Sequence, residues 1–148
     1  MFMQQSNFAN AMNLQPGDVI ITPKSYLNIV EHYLTYWGKN IDGVDFYFEN
    51  NYKTGVRWIT QDLFVQENPT FLKVRKFVGD FYQRNAAIER AAKLLGAKYD
   101  VKEFNCENYA NYIQYGRSYS TQVKSASEFL VGAGILAGIG LLIKAATR

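Results

Sequence analysis

Two stretches rich in aromatic and β-branched residues, 29–37 and 44–50, flank the segment 38–43, which closes on Asp42-Gly43. Such residues fit a pleated, half-buried surface, and an Asp-Gly pair supplies the backbone that a hairpin reversal needs. The two stretches therefore predict an antiparallel hairpin. Period-two alternation puts His32, Leu34 and Tyr36 on one face, and Tyr33, Thr35 and Trp37 on the other. The apolar run 19–22 before the hairpin, and 55–60 and 70–77 after it, read as further strands. Leu14-Gln15-Pro16-Gly17-Asp18 reads as a turn by its Pro-Gly pair, and 23–28 as a loop.

The periodicity then changes. Asn85 is placed to cap a helix running to Leu95, with Ile88, Ala91, Ala92 and Leu95 as its core stripe and Gly96 as its stop. A second helix follows in Phe104-Asn105-Cys106-Glu107-Asn108-Tyr109-Ala110-Asn111-Tyr112-Ile113-Gln114-Tyr115-Gly116. Asn105 suits the N-cap, Glu107 the positive end of the helix dipole, and Gly116 a left-handed stop. Cys106, Tyr109, Ala110 and Ile113 share one face. Strands first and helices after them predict an α+β domain, an antiparallel sheet packed on helices.

Cys106 and His32 are the only residues of their types in the chain. Cys106 opens its helix, where unpaired N–H groups favour a thiolate and can hold an oxyanion. A lone cysteine and a lone histidine are a candidate nucleophile and base. That reading requires the His32 face of its strand to turn toward the start of the Cys106 helix. Spacing alone leaves a second reading open, a small buried hydrophobe beside a satisfied strand histidine.

At 148 residues the chain suits one domain able to bury a core, and 16% aromatic residues argue against disorder. The net charge of +3 and the lack of a basic run give no support to nucleic-acid binding. One cysteine rules out an internal disulfide; one cysteine and one histidine argue against structural zinc, so neither metal nor cofactor is expected. Residues 1–13 lack basic residues before an apolar run, and no signal peptide is expected.

The end of the chain differs. Glu128 and Lys144 bracket 129–143, a stretch without a polar side chain. It covers roughly 22 Å as a helix, against roughly 30 Å for a bilayer core. Ala126, Ser127 and residues 145–147, with Lys144 snorkelling, bring it near that length. Four glycines make it a poor helix in water. The expectation is a membrane anchor over 125–148, with a buried core helix as the alternative. Gly134 and Gly138 form a small-xxx-small pair suited to a weak homodimer in lipid.

Asn105-Cys106-Glu107-Asn108-Tyr109, followed by Tyr115-Gly116-Arg117-Ser118-Tyr119-Ser120-Thr121-Gln122-Val123, resembles the LRAT-like family of lecithin:retinol acyltransferases and H-Ras-like-suppressor phospholipase/acyltransferases. The family's box is Asn-Cys-Glu-His-Phe, leading into Arg-Tyr-Gly and a Ser-x-Gln-Val-like stretch. Leu14 to Ile20 resembles its Pro-Gly-Asp strand, and His32-Tyr33-Leu34-Thr35-Tyr36-Trp37-Gly38 its His-Trp-Ala-x-Tyr-Val-Gly block. Ala91 to Gly96 resembles the helix before its cysteine. The blocks come in family order over 14–124, and an apolar segment follows in both.

The resemblance implies a circularly permuted papain-like (NlpC-type) fold. The domain would run over 14–124, with 1–13 before it and an apolar membrane-anchor helix at 125–148. It implies Cys106 as nucleophile and His32 as base, attacking a phospholipid or other acyl ester, at the cytoplasmic face of a membrane. Two departures stand out. Asn108 occupies the position of the family's histidine, and the second histidine that many members carry on the return strand is missing. Glu49 is the expected replacement, since its carboxylate suits an imidazole; Tyr47 shares its face, and Asn50 lies on the other. Two other readings stay open, a cysteine peptidase or amidase and a catalytically inactive interaction module.

Overall fold

A computed structural model describes residues 8–24, 30–122 and 124. The elements run α1 (Phe8–Ala11), β1 (Val19–Pro23), β2 (Glu31–Lys39), β3 (Asp45–Asn51), β4 (Gly55–Thr60), α2 (Gln61–Glu67), β5 (Lys73–Arg75), α3 (Phe81–Lys93) and α4 (Cys106–Tyr115). The fold is α+β. One five-stranded sheet has the order β4-β3-β2-β1-β5, and every neighbouring pair is antiparallel.

Both faces of the sheet are covered, so the alternation along each strand feeds two cores. Ile20, Leu34, Tyr36, Tyr47 and Ile59 pack with Phe8, Ala9, Phe64 and Val65 of α1 and α2. On the opposite face Phe48 and Val56 pack with Ala87 and Ala91 of α3 and with Tyr109 and Ile113 of α4. Val19, Ile21 and Tyr33 pack there with Cys106 and Ala110. Burial on both faces explains why β2 and β3 read as nearly continuous apolar runs rather than as a polar and an apolar row.

The hairpin forms as expected, with register Leu34↔Glu49 and an irregularity between Tyr36 and Gly38. Asn40 closes its turn by accepting from the N–H groups of Asp42 (3.0 Å) and Val44 (2.9 Å). Asp18 in the Pro-Gly-Asp turn is fully buried. Its carboxylate accepts from the backbone of Gln15 (3.0 Å) and Phe77 (2.9 Å), and from Arg84 (3.1 Å) and Lys76 (3.2 Å). Burial alone would raise this carboxyl, but these bonds hold it below its ordinary value.

Several expectations are corrected. The strand expected over 70–77 is continuous only at Lys73–Arg75, because β1 pairs with it over just Val19 to Ile21 and the chain then turns to Asp18. Asn85 is not a cap. It lies inside α3, whose N-cap is Asp80, five residues upstream, where Asp80 and Gln83 cap each other reciprocally (2.9 and 2.8 Å). The buried stripe is accordingly Ala87 and Ala91, while Ala92 and Leu95 are exposed. Pro23 belongs to β1 rather than to a loop. Two short helices are not among the sequence expectations, α1 of four residues and α2, which has no side-chain cap bond. The apolar segment 125–148 lies outside the described residues. Among those described, no helix is long and apolar enough to cross a membrane.

Candidate functional site

Asn105 caps α4 as its residue type requires, accepting from the Asn108 backbone N–H at 3.0 Å. Asn108 returns the bond, its side chain accepting from the Asn105 N–H at 2.9 Å. The residue at the resembled family's histidine position is therefore a helix-capping residue here. Gly116 ends α4 with φ +71°. This fixes Cys106 at the first helical position, with its side chain 7% exposed.

His32 and Glu49 lie on the same sheet face. His32 Nε2 and Glu49 Oε2 are 2.7 Å apart, and neither side chain is more than 4% exposed. Glu49 is the diagonal neighbour of His32 across β2 and β3, two residues from the partner position, within reach of a ring and a long carboxylate. The face of Asn50 is the other one, and its amide donates to the Phe104 carbonyl (2.7 Å). Tyr47, further along the His32 face, donates to Gln61 instead.

Cys106 meets His32, but not as the alternation suggests. The body of α4 packs on the Tyr33 face, opposite to that of His32. The two residues come together at the end of the sheet where β2 begins. There the Cys106 thiol donates to the Glu31 carbonyl at 3.8 Å and is the second polar neighbour of the imidazole. Burial by itself would lower the His32 pKa; the Cys106 and Glu49 hydrogen bonds and their charges outweigh it and push it up to about 9. Burial would likewise raise Glu49, but the His32 and Arg57 contacts hold it below the usual carboxylate range.

Three contributors escaped the sequence reading. Arg57 stands directly opposite Glu49 in the β3–β4 register. Its Nε and Nη2 each lie 2.6 Å from Glu49 Oε1, and Nη2 lies 2.8 Å from Glu67 Oε2. The signal for it was the register itself, extended by one strand. Glu107, 3% exposed, accepts from Ser120 Oγ (2.5 Å), Thr121 Oγ1 (2.5 Å) and Gln122 N (3.0 Å). Gln122 in turn accepts from Glu31 N (2.8 Å) and donates to Glu31 O (3.3 Å). The Ser-Thr-Gln stretch thus ties the start of α4 to the start of β2, next to His32. Tyr99 is the third; burial and the neighbouring Cys106 push its phenol up.

A cavity of about 330 Å³, lined by Phe77, Val78, Arg90, Gln114 and Tyr115 among others, lies at the opposite end of α4 from Cys106. Among the described residues, no cluster of three or more His, Cys, Asp and Glu side chains is arranged to hold a metal. The arrangement gives one imidazole a thiol and a carboxylate as polar neighbours, which suits proton transfer between thiol and ring. Comparison with protein-family models, with curated proteins and with solved structures returned no match.

Proposed function

We propose that this chain is a membrane-associated thiol acyltransferase or phospholipase A of the permuted papain-like kind, forming a thioester on Cys106 from a lipid ester. One observation carries the reading: a buried imidazole held by Glu49 at 2.7 Å, with the thiol at a helix N-terminus as its other polar neighbour. Glu49 occupies Nε2, which leaves Nδ1 for the thiol proton. In the proposed step Sγ attacks the ester carbonyl and His32 carries the thiol proton. The carbon–oxygen bond then breaks, the proton goes to the departing alcohol or lysolipid, and Cys106 keeps the acyl group. Water or an acceptor hydroxyl or amine attacks the thioester in the second half.

The apolar segment 125–148 supports a lipid substrate. As an anchor it would follow directly on the Ser-Thr-Gln stretch tied to the site, and would set the thiol near ester carbonyls at the cytoplasmic face of a bilayer. The test is incubation with mixed phospholipid vesicles, followed by mass spectrometry of the peptide containing Cys106. An added acyl mass, absent in Cys106→Ser, is the expected result; an unmodified thiol under conditions that label it with iodoacetamide would sink the proposal. Burial of Cys106 to 7% favours one second reading, an inactive interaction module. That reading predicts a thiol inert to both reagents.

A further inference from the structure

We propose that Arg57 is a positioning residue of this site, one that keeps the shared proton on His32 by holding Glu49 ionised. The inference rests on the reading of Cys106 and His32 above, yet its evidence is separate geometry. Glu49 is fully buried, and its two oxygens are divided between partners. Oε2 meets His32 Nε2 at 2.7 Å, and Oε1 meets Arg57 Nε and Nη2 at 2.6 Å. Arg57 is 27% exposed, so its charge reaches water while its fork reaches the buried carboxylate.

The physical consequence concerns where one proton sits. A buried His–Glu pair holding one proton has two forms, imidazolium with carboxylate and neutral imidazole with carboxylic acid. Where water is excluded, the neutral form gains, because two charges are expensive to bury. A cation closer to the carboxylate than to the ring reverses that preference, and Arg57 touches Glu49 directly. The other ionisable groups around the site do not replace it. Glu67 on α2 is itself bound to Arg57 (2.8 Å), Tyr99 is not a cation, and Cys106 favours the imidazolium by acting on the ring rather than on Glu49. The Glu31 side chain is engaged with the Tyr33 hydroxyl (2.8 Å). Arg57 also has a geometric effect. A carboxylate gripped from its far side cannot rotate, so the ring it holds stays aimed at the thiol.

His32 is the chain's single histidine, so ring nitrogen chemical shifts report it without assignment. The experiment uses full-length protein in detergent micelles, wild type beside Arg57→Gln and Arg57→Lys, with thermal melts to show folding. Wild type should show an imidazolium at pH 7, and a neutral ring there would overturn the proposal without any variant. Folded Arg57→Gln should show a neutral ring at pH 7 and alkylate Cys106 at least about tenfold more slowly. Arg57→Lys should keep the imidazolium and recover part of the rate. An imidazolium and an unchanged rate in folded Arg57→Gln, or a neutral ring in Arg57→Lys, would overturn it. None of these readouts needs turnover. A failure of lipid acylation would count against the proposed function and leave this inference standing.

Discussion

His32 is where charge, burial and hydrogen bonding meet. Its pKa of about 9 comes from two partners that outweigh the cost of burying a cation. Replacing it separates the chemical role from the structural one. His32→Ala should lower acylation of Cys106 by about 10²–10⁴-fold, the usual contribution of a positioned acid–base group, read by time-resolved mass spectrometry. Because Cys106 is the only thiol, its alkylation rate near neutral pH can be compared directly with that of a free model thiol. Wild type should be faster, and His32→Ala slower than wild type. Equal rates in all three would end the catalytic reading.

At the scale of elements, caps decide more than propensity does. Asn105 sets the start of α4 and therefore the place of the thiol. Asn105→Ala should cost about 1 kcal/mol in chemical denaturation and slow Cys106 alkylation as the first turn frays. Gly55 is the second sensitive point. Its φ is +73°, and a Cβ there would lie 2.3 Å from the Ala97 carbonyl oxygen. The backbone of 96–97 covers the outer side of β4 at that place, through bonds between Gly96 N and Val56 O (2.9 Å) and between Val56 N and Ala97 O (2.8 Å). Gly55→Ala should therefore destabilise by more than the roughly 1–2 kcal/mol of a left-handed non-glycine residue, measured as a drop in Tm. The elements that escaped sequence reading share a physical trait. The helix α2 lacks a side-chain cap and exists because Phe64 stacks on Tyr47 at 4.2 Å between centroids, a contact made across the fold. The cap of α3 was misplaced because both Asp80 and Asn85 are good capping residues, and only Asp80 has a partner, Gln83, at the third position.

For the whole molecule, the perturbed groups define a pH window of stability. His32 lies above its ordinary value of 6.5, so its contribution is complete below about pH 6.5 and is lost as pH rises through about 9. Asp18, Glu49 and Glu107 lie below their ordinary values of 3.8, 4.5 and 4.5. Their contributions are present above those values and are lost as pH falls through the lower folded ones. Tm should plateau between about pH 5 and 6.5 and decline on both sides, and His32→Ala should flatten the alkaline limb; a Tm rising from pH 6.5 to 9 would contradict the assignment. Truncation after Lys124 should leave this profile intact, since every described strand and every described residue of the cores lies before that point. It should also move the protein from the membrane to the soluble fraction. A truncated chain that still pellets with vesicles would refute the anchor.

Sequence alone determined what local rules control. The hairpin follows from aromatic alternation around an Asp-Gly turn, the start and stop of α4 from Asn105 and Gly116, and the choice of Glu49 over Asn50 from the period of two that sorts strand residues by face. The tertiary structure decided what depends on distant chain segments meeting. It brought Cys106 to His32 around the end of the sheet rather than across its face, because α4 packs on the side of Tyr33. It also placed Arg57 behind Glu49 and the Ser-Thr-Gln stretch between Glu107 and Glu31. These contacts arise from strand register and helix docking summed over the whole chain, and no window of neighbouring residues encodes them.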